Sequence, residues 1–434
     1  MSDLRFLEEL GAEFERIGET HASAQRSQRG RRPWIRVPRS TAAGIGVGLS
    51  VLFVVAVVAV AVGVHSSSRP VTGAPGGGVS VVFRATALNP RSPLGPSLER
   101  SIDILRQRLR SVFPGVQVSR AGNGLVVLVP KSRRADRARI VALAVPARLE
   151  FYDWEANALT PNGKPVASQL ETEDPNAVSI SQGSGSPAPG SPGAGSMSLY
   201  DAVKLASKQA PEPRSDNGRP GPAYYMFGAP GSQACKIAAE DQSTVPTVGA
   251  HCYLSGPNAN KQDLISNLPN GVNASEGETL LVPRGIVVLQ AVPDSFAHAP
   301  AMSSAAAEFF VLKDHLSLLS SDITNPQAST DSAGNPDVTF GFSSNGKNEF
   351  QSVTSAIAHR GAFVSGLGHT FNQHFAVALD NQLITVPSID FKMYPNGIIG
   401  DPGADIAGGF TLQSARDLAT MLRFGPLPVS LVVR

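Results

Sequence analysis

One stretch of this sequence nearly matches the phosphate-binding loop of nucleotide-binding proteins. The segment GFSSNGKN, from Gly341 to Asn348, has the spacing GxxxxGK and follows a predicted strand, DVTF. In that motif backbone N–H groups surround the phosphates, the lysine contacts them, and a following Ser or Thr hydroxyl binds Mg²⁺. Asn348 stands where the hydroxyl is needed. We therefore predict a strand-turn-helix junction here and no cofactor.

Two histidines lie close together in HTFNQH. Their spacing puts His369 and His374 neither at i, i+4 on one helix face nor on the same side of a strand. The sequence also lacks HExxH and CxxC metal motifs and a GxSxG nucleophile turn. We therefore predict separate surface or packing histidines, no metal site and no catalytic residues, and expect a protein that is not an enzyme.

The chain has two cysteines, Cys235 and Cys252. They are close enough in sequence to close one loop, and two buried free thiols are the alternative. An oxidising compartment favours a disulfide, which would stabilise the fold by about 3 kcal/mol. The compartment therefore has to be predicted from other parts of the chain.

The run TAAGIGVGLSVLFVVAVVAVAVGV, residues 41–64, contains no charged residue. About 20 apolar residues suffice for a helix to cross a bilayer, whereas a signal peptide starts nearer the N-terminus and has an apolar core of about 7–15 residues. Six arginines precede the run: Arg26, Arg29, Arg31, Arg32, Arg36 and Arg39. The positive-inside rule places residues 1–40 in the cytoplasm and everything after Val64 outside. We predict a single-pass protein of the cell membrane.

The sequence also predicts the character of the segments on either side of the apolar run, and a contact within the run. Residues 1–40 contain a short amphipathic pattern, DLRFLEELGAEFERIGE, which fits a helix that lies on the membrane or contacts a partner, or else a solvated tail. Gly44 and Gly48 form a small-xxx-small pair that suits a homodimer through the membrane helix, although glycine is common in such helices. Residues 65–78 are a Gly, Ser and Pro linker.

Composition and net charge limit the number of domains and the classes of partner that the chain can have. The chain has 434 residues, 42% of them hydrophobic and 17% charged, so it is long enough for more than one folded domain. The net charge is only +2, and much of the positive charge lies in the N-terminal cluster. Without a basic patch in the C-terminal part, we expect no nucleic-acid partner.

Residues 79–155 alternate strand and helix signals. VSVVFRATAL predicts a strand, SLERSIDILRQRLRSVF a helix with Ser97 as N-cap, GVQVSR and GLVVLVP a hairpin, SRRADRARIVALAV a second helix, and ARLEFYDWE a fourth strand. The first helix carries Leu98, Ile102, Leu105 and Leu109 on one face. This order is typical of a ferredoxin-like fold.

These residues resemble a known family. SIDILRQRLRSVFPGVQVSRAGNGLVVLVP and RADRARIVALAVPARLEFYD resemble the base of the first periplasmic domain of SecD, a membrane component of the Sec protein-export machinery, in which an ILRxRv element precedes a strand pair and LEF. FAVALDNQLITVPSID resembles the family's head subdomain. The resemblance covers residues 79–155 and about 281 to the end.

The end of the chain resembles the family's motif isGGFtleeArdLalLLraGaLpapl. The segment is GGFTLQSARDLATMLRFGPLPVSLVV, in which we single out Gly408, Gly409, Phe410, Thr411, Arg416, Asp417 and Gly425. Independently of the family, Thr411 is a good N-cap and Gly425 suits a C-terminal left-handed position. This helix and strand are expected to close the base.

The resemblance implies an α+β fold: an N-terminal transmembrane helix followed by an extracytoplasmic ferredoxin-like base with an inserted SecD-type head. The expected parts are a cytoplasmic tail at 1–40, the membrane helix at 41–64, a linker at 65–78, the base at 79–155, a low-complexity flexible insertion at 156–222, the head at 223–400 and the returning base at 401–434. The insertion is inferred from SQGSGSPAPGSPGAGS, which cannot order itself by burying apolar surface.

Two functions are then expected. SecD-like proteins capture an emerging unfolded polypeptide with the head, whose movement is coupled to proton flow through later transmembrane helices. Without those helices, this chain is expected to bind polypeptide and assist Sec-dependent export with a partner, such as Sec translocon membrane subunits. The alternative is an envelope binding or structural protein that keeps the fold without a transport role, since a fold does not fix a function.

Overall fold

The computed structural model describes residues 78–88, 92–130, 136–168, 197–212, 222–242, 250–291, 308–331, 334–365, 371–407 and 410–433. The predicted cytoplasmic tail and membrane helix, nearly all of the linker, Gly408, Gly409 and His369 lie outside these residues. Within the described ranges, no helix has the length and apolar character needed to cross a membrane.

The first sheet has four antiparallel strands in the order β17-β1-β3-β2. Two helices pack on one of its faces. The elements are β1 (Val79–Ala87), α1 (Leu94–Arg110), β2 (Gln117–Ala121), β3 (Gly124–Val129), α2 (Asp136–Leu143) and β17 (Val429–Val433). This is the strand order of a ferredoxin-like sheet, with the end of the chain supplying the fourth strand.

The core of this unit follows from the two sequence periodicities. Alternate residues of β1, namely Val81, Phe83 and Ala85, face the helices, and the predicted leucine and isoleucine stripe of α1 is buried against them. The helix begins at Leu94, one turn before the predicted N-cap Ser97. Pro96 in its first turn is compatible with this start, because the first turn needs no intrahelical N–H donor.

The predicted fourth strand belongs to a different sheet. Leu149–Asp153 forms a strand, β4, but it pairs with residues of the second half of the chain, whereas β17 lies beside β1. All five residues of β4 are buried, as required of a strand covered on both faces. The expectation that this strand completes the base sheet is therefore wrong.

The second sheet has the path β10-β4-β13-β14-β8-β9, with β15 pairing to β13. Neighbouring strands are antiparallel except for β14 and β8, which are parallel. The strands are β8 (Ile286–Ala291), β9 (Phe309–Lys313), β10 (Leu318–Leu319), β13 (Gln373–Leu379), β14 (Gln382–Thr385) and β15 (Ser388–Ile389); a single turn, α3 (Trp154–Asn157), follows β4.

A third sheet, β11-β12-β16, faces the second one across an aromatic core. It contains β11 (Ile323–Thr330), β12 (Pro336–Phe342) and β16 (Ala404–Ala407), and it packs with α7 (Ser344–Val364) and α8 (Leu412–Phe424). Phe342 stacks on Phe350 at 4.9 Å, and Phe350 meets the edge of Phe375 at 5.5 Å. The cavity among these rings holds only about 20 Å³, so it is close to the size of one water molecule.

A small fourth sheet, β6-β5-β7, completes the described residues. It consists of β5 (Ala223–Gly228), β6 (Cys252–Asn258) and β7 (Gly277–Val282), with α4 (Leu199–Ser207), α5 (Gln233–Gln242) and α6 (Lys261–Ser266) around it. Ala202, Val203 and Ala206 of α4 are fully buried against this sheet and the β8-β9 edge. The segment 156–222, expected to be a flexible insertion, therefore includes a packed helix, because its apolar residues recur at helical spacing.

Cys235 and Cys252 form the predicted disulfide, which links α5 to the start of β6. Gly228 makes room for it: a Cβ at this position would lie 2.7 Å from Cys252 Sγ and 2.8 Å from Cys235 Sγ. The bond joins two elements of the small sheet whose connection spans 17 positions.

Replacing both cysteines with serine is expected to lower the free energy of unfolding by about 3 kcal/mol, because the unfolded chain regains the entropy of the opened loop. Urea unfolding of the oxidised protein and of the double variant measures the difference. Reduced wild type is the matched control and should unfold like the double variant. Thiol labelling of both cysteines without reductant would contradict the assignment.

Candidate functional site

The longest described helix, α7, begins at the segment that resembles a phosphate loop. The Ser343 hydroxyl accepts the Gly346 N–H at 3.0 Å as an N-cap. Gly346 is needed there, because a Cβ would lie 2.5 Å from the Asp322 carbonyl oxygen. Lys347 Nζ donates to Asp401 at 2.7 Å. The predicted strand-turn-helix junction between β12 and α7 is confirmed.

An irregular loop, residues 390–399, runs antiparallel along α7. Phe391 lies against Gly361 near the end of the helix, whereas Gly397 lies against Gln351, two to three turns earlier. The loop is fixed by a hydrogen bond from Ile398 N–H to the Thr354 hydroxyl at 2.8 Å. Gly397 has a φ of +79°, and a Cβ there would lie 2.3 Å from the Gln351 carbonyl oxygen. Only glycine allows this close approach.

A groove of about 300 Å³ lies between the helix and this loop. We call it the α7 groove and define it by its lining residues Asn348, Gln351, Ser352, Ser355 and Asn396. It is open to solvent along the surface. Its volume is at the lower end of the range found for small-ligand sites.

Apolar side chains are exposed around the same helix and loop. Phe363 at the end of α7 is 75% exposed, Ile399 67% and Met393 50%, and Phe371 is exposed as well. Four of the eight large hydrophobic side chains that are exposed in the described residues therefore lie between positions 363 and 399. These residues are spread along the surface of α7 and the loop, from the end of the helix at Phe363 to Ile399, which follows the residue bonded to Thr354 in the middle of the helix.

A buried ion pair anchors the end of α7 to β4. Arg360 Nη2 donates to both carboxylate oxygens of Asp153, at 2.6 and 2.5 Å, and Arg360 Nε donates to Gln373 Oε1 at 3.3 Å. Burial raises the pKa of the Asp153 carboxyl to about 6, although Arg360 and the Ala156 N–H oppose the increase and the neighbouring Glu155 adds to it. The burial cost of this charge is only partly offset by the arginine.

A second buried pair lies beside the first. The Glu155 carboxylate accepts the His374 N–H at 2.8 Å and lies 2.6 Å from His374 Nδ1. The sequence predicts His374 as a separate surface or packing histidine and does not group Asp153, Glu155 and Arg360. The available signal was DWE, two acids directly after an apolar strand.

Stability should depend on pH through Asp153. The folded-state pKa of this carboxyl is about 6, above its ordinary value of 3.8, so the folded protein takes up a proton between these values that the unfolded chain does not. The contribution of Asp153 to stability should therefore rise by up to about 3 kcal/mol as the pH falls from above 6 to below 4. Unfolding of wild type and Asp153→Asn across this range measures it; a constant difference between the two would contradict it.

The residues singled out in the terminal motif have structural roles where the structure describes them. Phe410 is buried, and the Thr411 hydroxyl accepts the Ser414 N–H at 3.1 Å as the N-cap of α8. Asp417 receives two hydrogen bonds from the guanidinium of Arg139, at 2.7 and 3.1 Å. Gly425 follows α8 with a φ of +80° and a ψ of 175°, so its φ is positive, as glycine allows, but the residue is not in the left-handed helical conformation that the sequence predicts. Arg416 lies on the same helix.

Arg108, the second arginine of ILRQR, is a residue that sequence analysis did not select. Its guanidinium is fully buried and donates to the carbonyls of Leu143, Val145, Pro146 and Gly425. Burial lowers its pKa to about 10, with Asp380 opposing the decrease, so it stays charged at neutral pH. It links α1, the end of α2 and the end of α8.

Residues 297–429 match the family profile described as SecDF, P1 head subdomain. This part of the chain is similar to a SecDF P1 head subdomain. The matched range starts after the predicted head boundary at 223 and extends beyond 400 through α8. It includes α7, the α7 groove, Arg360 and His374, whereas Asp153 and Glu155 precede it.

Curated relatives are protein translocase subunits SecD. The chain is 37% identical to that of Acetobacter pasteurianus over 121 residues, 28% of this chain and 20% of the relative, and 31% identical to that of Rickettsia typhi over 125 residues, 29% and 20% respectively. The chain thus spans about a fifth of the length of these relatives. The similarity concerns one part of a larger protein.

Two solved structures are also similar. One is described as a crystal structure of SecDF in super-membrane-facing form, with 18% identity, a TM-score of 0.37, and coverage of 82% of this chain and 29% of that one. The other is described as a membrane component SecDF that enhances protein export, with 16% identity, a TM-score of 0.35, and coverage of 82% and 97%.

Proposed function

We propose that this chain is a membrane-anchored, extracytoplasmic SecD-like protein that binds unfolded polypeptide through its head subdomain and assists Sec-dependent export together with a partner. The match of residues 297–429 to the SecDF P1 head subdomain is the observation that supports this proposal. The exposed apolar residues around α7 fall within the matched range and suit binding of unfolded chains.

The proposal has a direct test in cells. A photo-crosslinker placed at Phe363, on the exposed end of α7, should trap exported polypeptides before they fold, and purification of the full chain from membranes should recover Sec channel subunits. A crosslinker at the exposed Asn123, in the β2-β3 turn, is the control position. Recovery of only cell-wall enzymes or envelope ligands would replace the proposal by an envelope binding or structural role.

The proposed topology is tested separately. Protease added to intact spheroplasts should degrade the region after residue 64 and leave the first 40 residues protected, as the arginine distribution predicts. An epitope at each end of the chain reports the two regions. Protection of the C-terminal epitope would overturn the extracytoplasmic assignment.

A further inference from the structure

The charge of this chain is unevenly distributed along the sequence. Residues 79–148, from β1 to the residue before β4, contain 13 lysines and arginines and three acids, which gives a net charge of +10. Residues 149–434 contain 15 lysines and arginines and 26 acids, which gives a net charge of −11. The near-neutral total of +2 therefore combines a strongly basic first part of the base with an acidic remainder. Near a charged surface, such a separation of charge orients a protein.

The exposed face of α1 carries part of this positive charge. Arg100, Asp103, Gln107 and Arg110 recur at spacings of three and four residues and are exposed, opposite the buried leucine stripe. From Arg100 to Arg110 the helix rises about 15 Å, so both side chains can contact one flat surface. Arg137, on α2 of the same helical layer, is exposed as well.

The exposed acids of α1 are paired within the base. Asp103 forms an ion pair with Arg106 at 2.7 Å, and Glu99 forms one with Arg120 at 3.0 Å. Within the described ranges, three exposed arginines of the helical layer form no ion pair: Arg100, Arg110 and Arg137. We call these three the helical-layer arginines. Their charge is available to an anionic partner.

Other surfaces of the base contact the rest of the chain. Arg84, which lies on the opposite face of β1 from the buried Phe83, donates a hydrogen bond to Asn267, the residue after α6. On the helical side of the sheet, Arg139 forms an ion pair with Asp417 of α8 at 2.7 Å. The helical-layer arginines lie outside both contacts and remain exposed to solvent.

The predicted topology places the base close to the membrane. The predicted linker, residues 65–78, has 14 residues, and a Gly- and Ser-rich chain of this length has an r.m.s. end-to-end distance of about 20 Å. The first strand of the base begins directly after it, at Val79. A surface on so short a tether meets lipid headgroups at a high effective concentration, so that individually weak contacts become occupied.

The basic residues of the base have the chemistry that lipid phosphates require. Twelve of the 13 lysines and arginines in residues 79–148 are arginines. A guanidinium presents parallel N–H donors that match two phosphate oxygens, and it is charged at any physiological pH. The acidic remainder of the chain is repelled by the same phosphates. Attraction of the base and repulsion of the head therefore favour one orientation at an anionic surface.

We propose that the helical-layer arginines bind the phosphates of anionic lipid headgroups at the extracytoplasmic surface of the membrane. The base then lies on the bilayer and the acidic head points away from it. This inference rests on the membrane anchoring and topology of the proposed function, and it adds a lipid partner and an orientation. The contact is electrostatic and exposed, so it weakens as the salt concentration rises.

The test uses the full chain, reconstituted as a single copy per lipid nanodisc with a nitroxide-headgroup lipid as quencher. Gln107→Cys places a fluorophore on the exposed face of α1, and the native cysteines do not react because they form the disulfide. We expect stronger quenching in discs that contain phosphatidylglycerol than in discs of phosphatidylcholine alone. The difference should vanish in 1 M NaCl, where the Debye length is about 3 Å. A fluorophore at Ser344→Cys, exposed at the start of α7 in the head, should be quenched little in both lipids.

A triple variant removes the proposed contact, and a second triple variant controls for net charge. The first carries Arg100→Gln, Arg110→Gln and Arg137→Gln. Its ratio of docked to undocked base should fall on the order of 100-fold, so that quenching returns to the level of phosphatidylcholine discs. The control removes the same charge from exposed positions outside the base and should behave like wild type: Lys164→Gln, Lys236→Gln and Lys261→Gln. Far-UV circular dichroism confirms that each variant is folded.

Three results would overturn the inference. They are equal quenching at the α1 fluorophore in both lipids, wild-type quenching in the arginine variant, and quenching of the head fluorophore as strong as that on α1. Arginine-dependent quenching that requires two copies per disc would make the acidic head of a second copy the partner, and it would overturn the inference as well.

The same preparation separates this inference from the proposed function. A chain that does not enter the discs has no membrane anchor, which would remove both. A chain that enters the discs and crosslinks exported polypeptide at Phe363, but shows no lipid-dependent quenching, would keep the proposed function and remove the lipid contact.

Discussion

Replacing Arg360 with alanine is expected to lower the free energy of unfolding by about 3–5 kcal/mol. The substitution leaves the Asp153 carboxylate buried without its bidentate partner and removes the hydrogen bond to Gln373. It also frees the end of α7 from β4. Urea unfolding of the full chain at neutral pH, followed by far-UV circular dichroism, measures the loss.

Two further variants make this prediction specific. His359→Ala removes the exposed neighbour of Arg360 on the same helix and should change stability little. Arg360→Lys keeps the charge but has a single nitrogen, so it cannot bond Asp153 and Gln373 from two nitrogens as Arg360 does, and its effect should be intermediate. Because Arg360 opposes the increase in the pKa of Asp153, Arg360→Ala should also move the Asp153 transition to higher pH. A loss below about 1 kcal/mol would mean that the pair contributes no more than an exposed one.

The second large effect is expected at Arg108. Arg108→Leu should destabilise the protein by about 4 kcal/mol, because carbonyl oxygens that now accept from a charged donor would be left without it in a buried position. The first sheet is most affected, since the contact with Gly425 fixes the turn that leads into β17. Hydrogen exchange should show faster opening of β17 than in wild type.

Arg110→Ala is the matched control for Arg108. Arg110 lies on the same helix and has the same side chain, but it is exposed. Its replacement should leave both unfolding and exchange unchanged. Equal effects of the two substitutions would mean that loss of positive charge on α1, and not the buried hydrogen bonds, explains the result.

Local structure was predictable from the sequence because it depends on neighbouring residues. The stripe Leu98, Ile102, Leu105 and Leu109 predicts the buried face of α1, and Thr411 and Gly425 mark the ends of α8. The disulfide followed from two cysteines and a predicted compartment. The helix start predicted from Ser97 as N-cap was wrong, because α1 begins at Leu94. A helix can start before its best capping residue when proline occupies the first turn.

Strand pairing was harder to predict. Leu149–Asp153 is a strand, as expected, but the sheet to which it belongs depends on competition with Val429–Val433 for the edge of β1. The alternation of apolar residues in a strand predicts which of its faces is buried, but it does not predict which strand lies beside it in the sheet. The uninterrupted burial of LEFYD was the available sign that both faces of this strand are covered.

The sequence by itself predicted the helices and strands of residues 79–155 and of the end of the chain, the disulfide, and the resemblance to the SecD family that the head subdomain match confirmed. Only the tertiary structure brought Asp153 to Arg360 across 207 positions and Glu155 to His374 across 219, and set residues 390–399 against α7 to form the groove. Side chains so far apart in sequence come together only through the packing of whole sheets and helices. No local sequence pattern predicts which buried charged groups will pair.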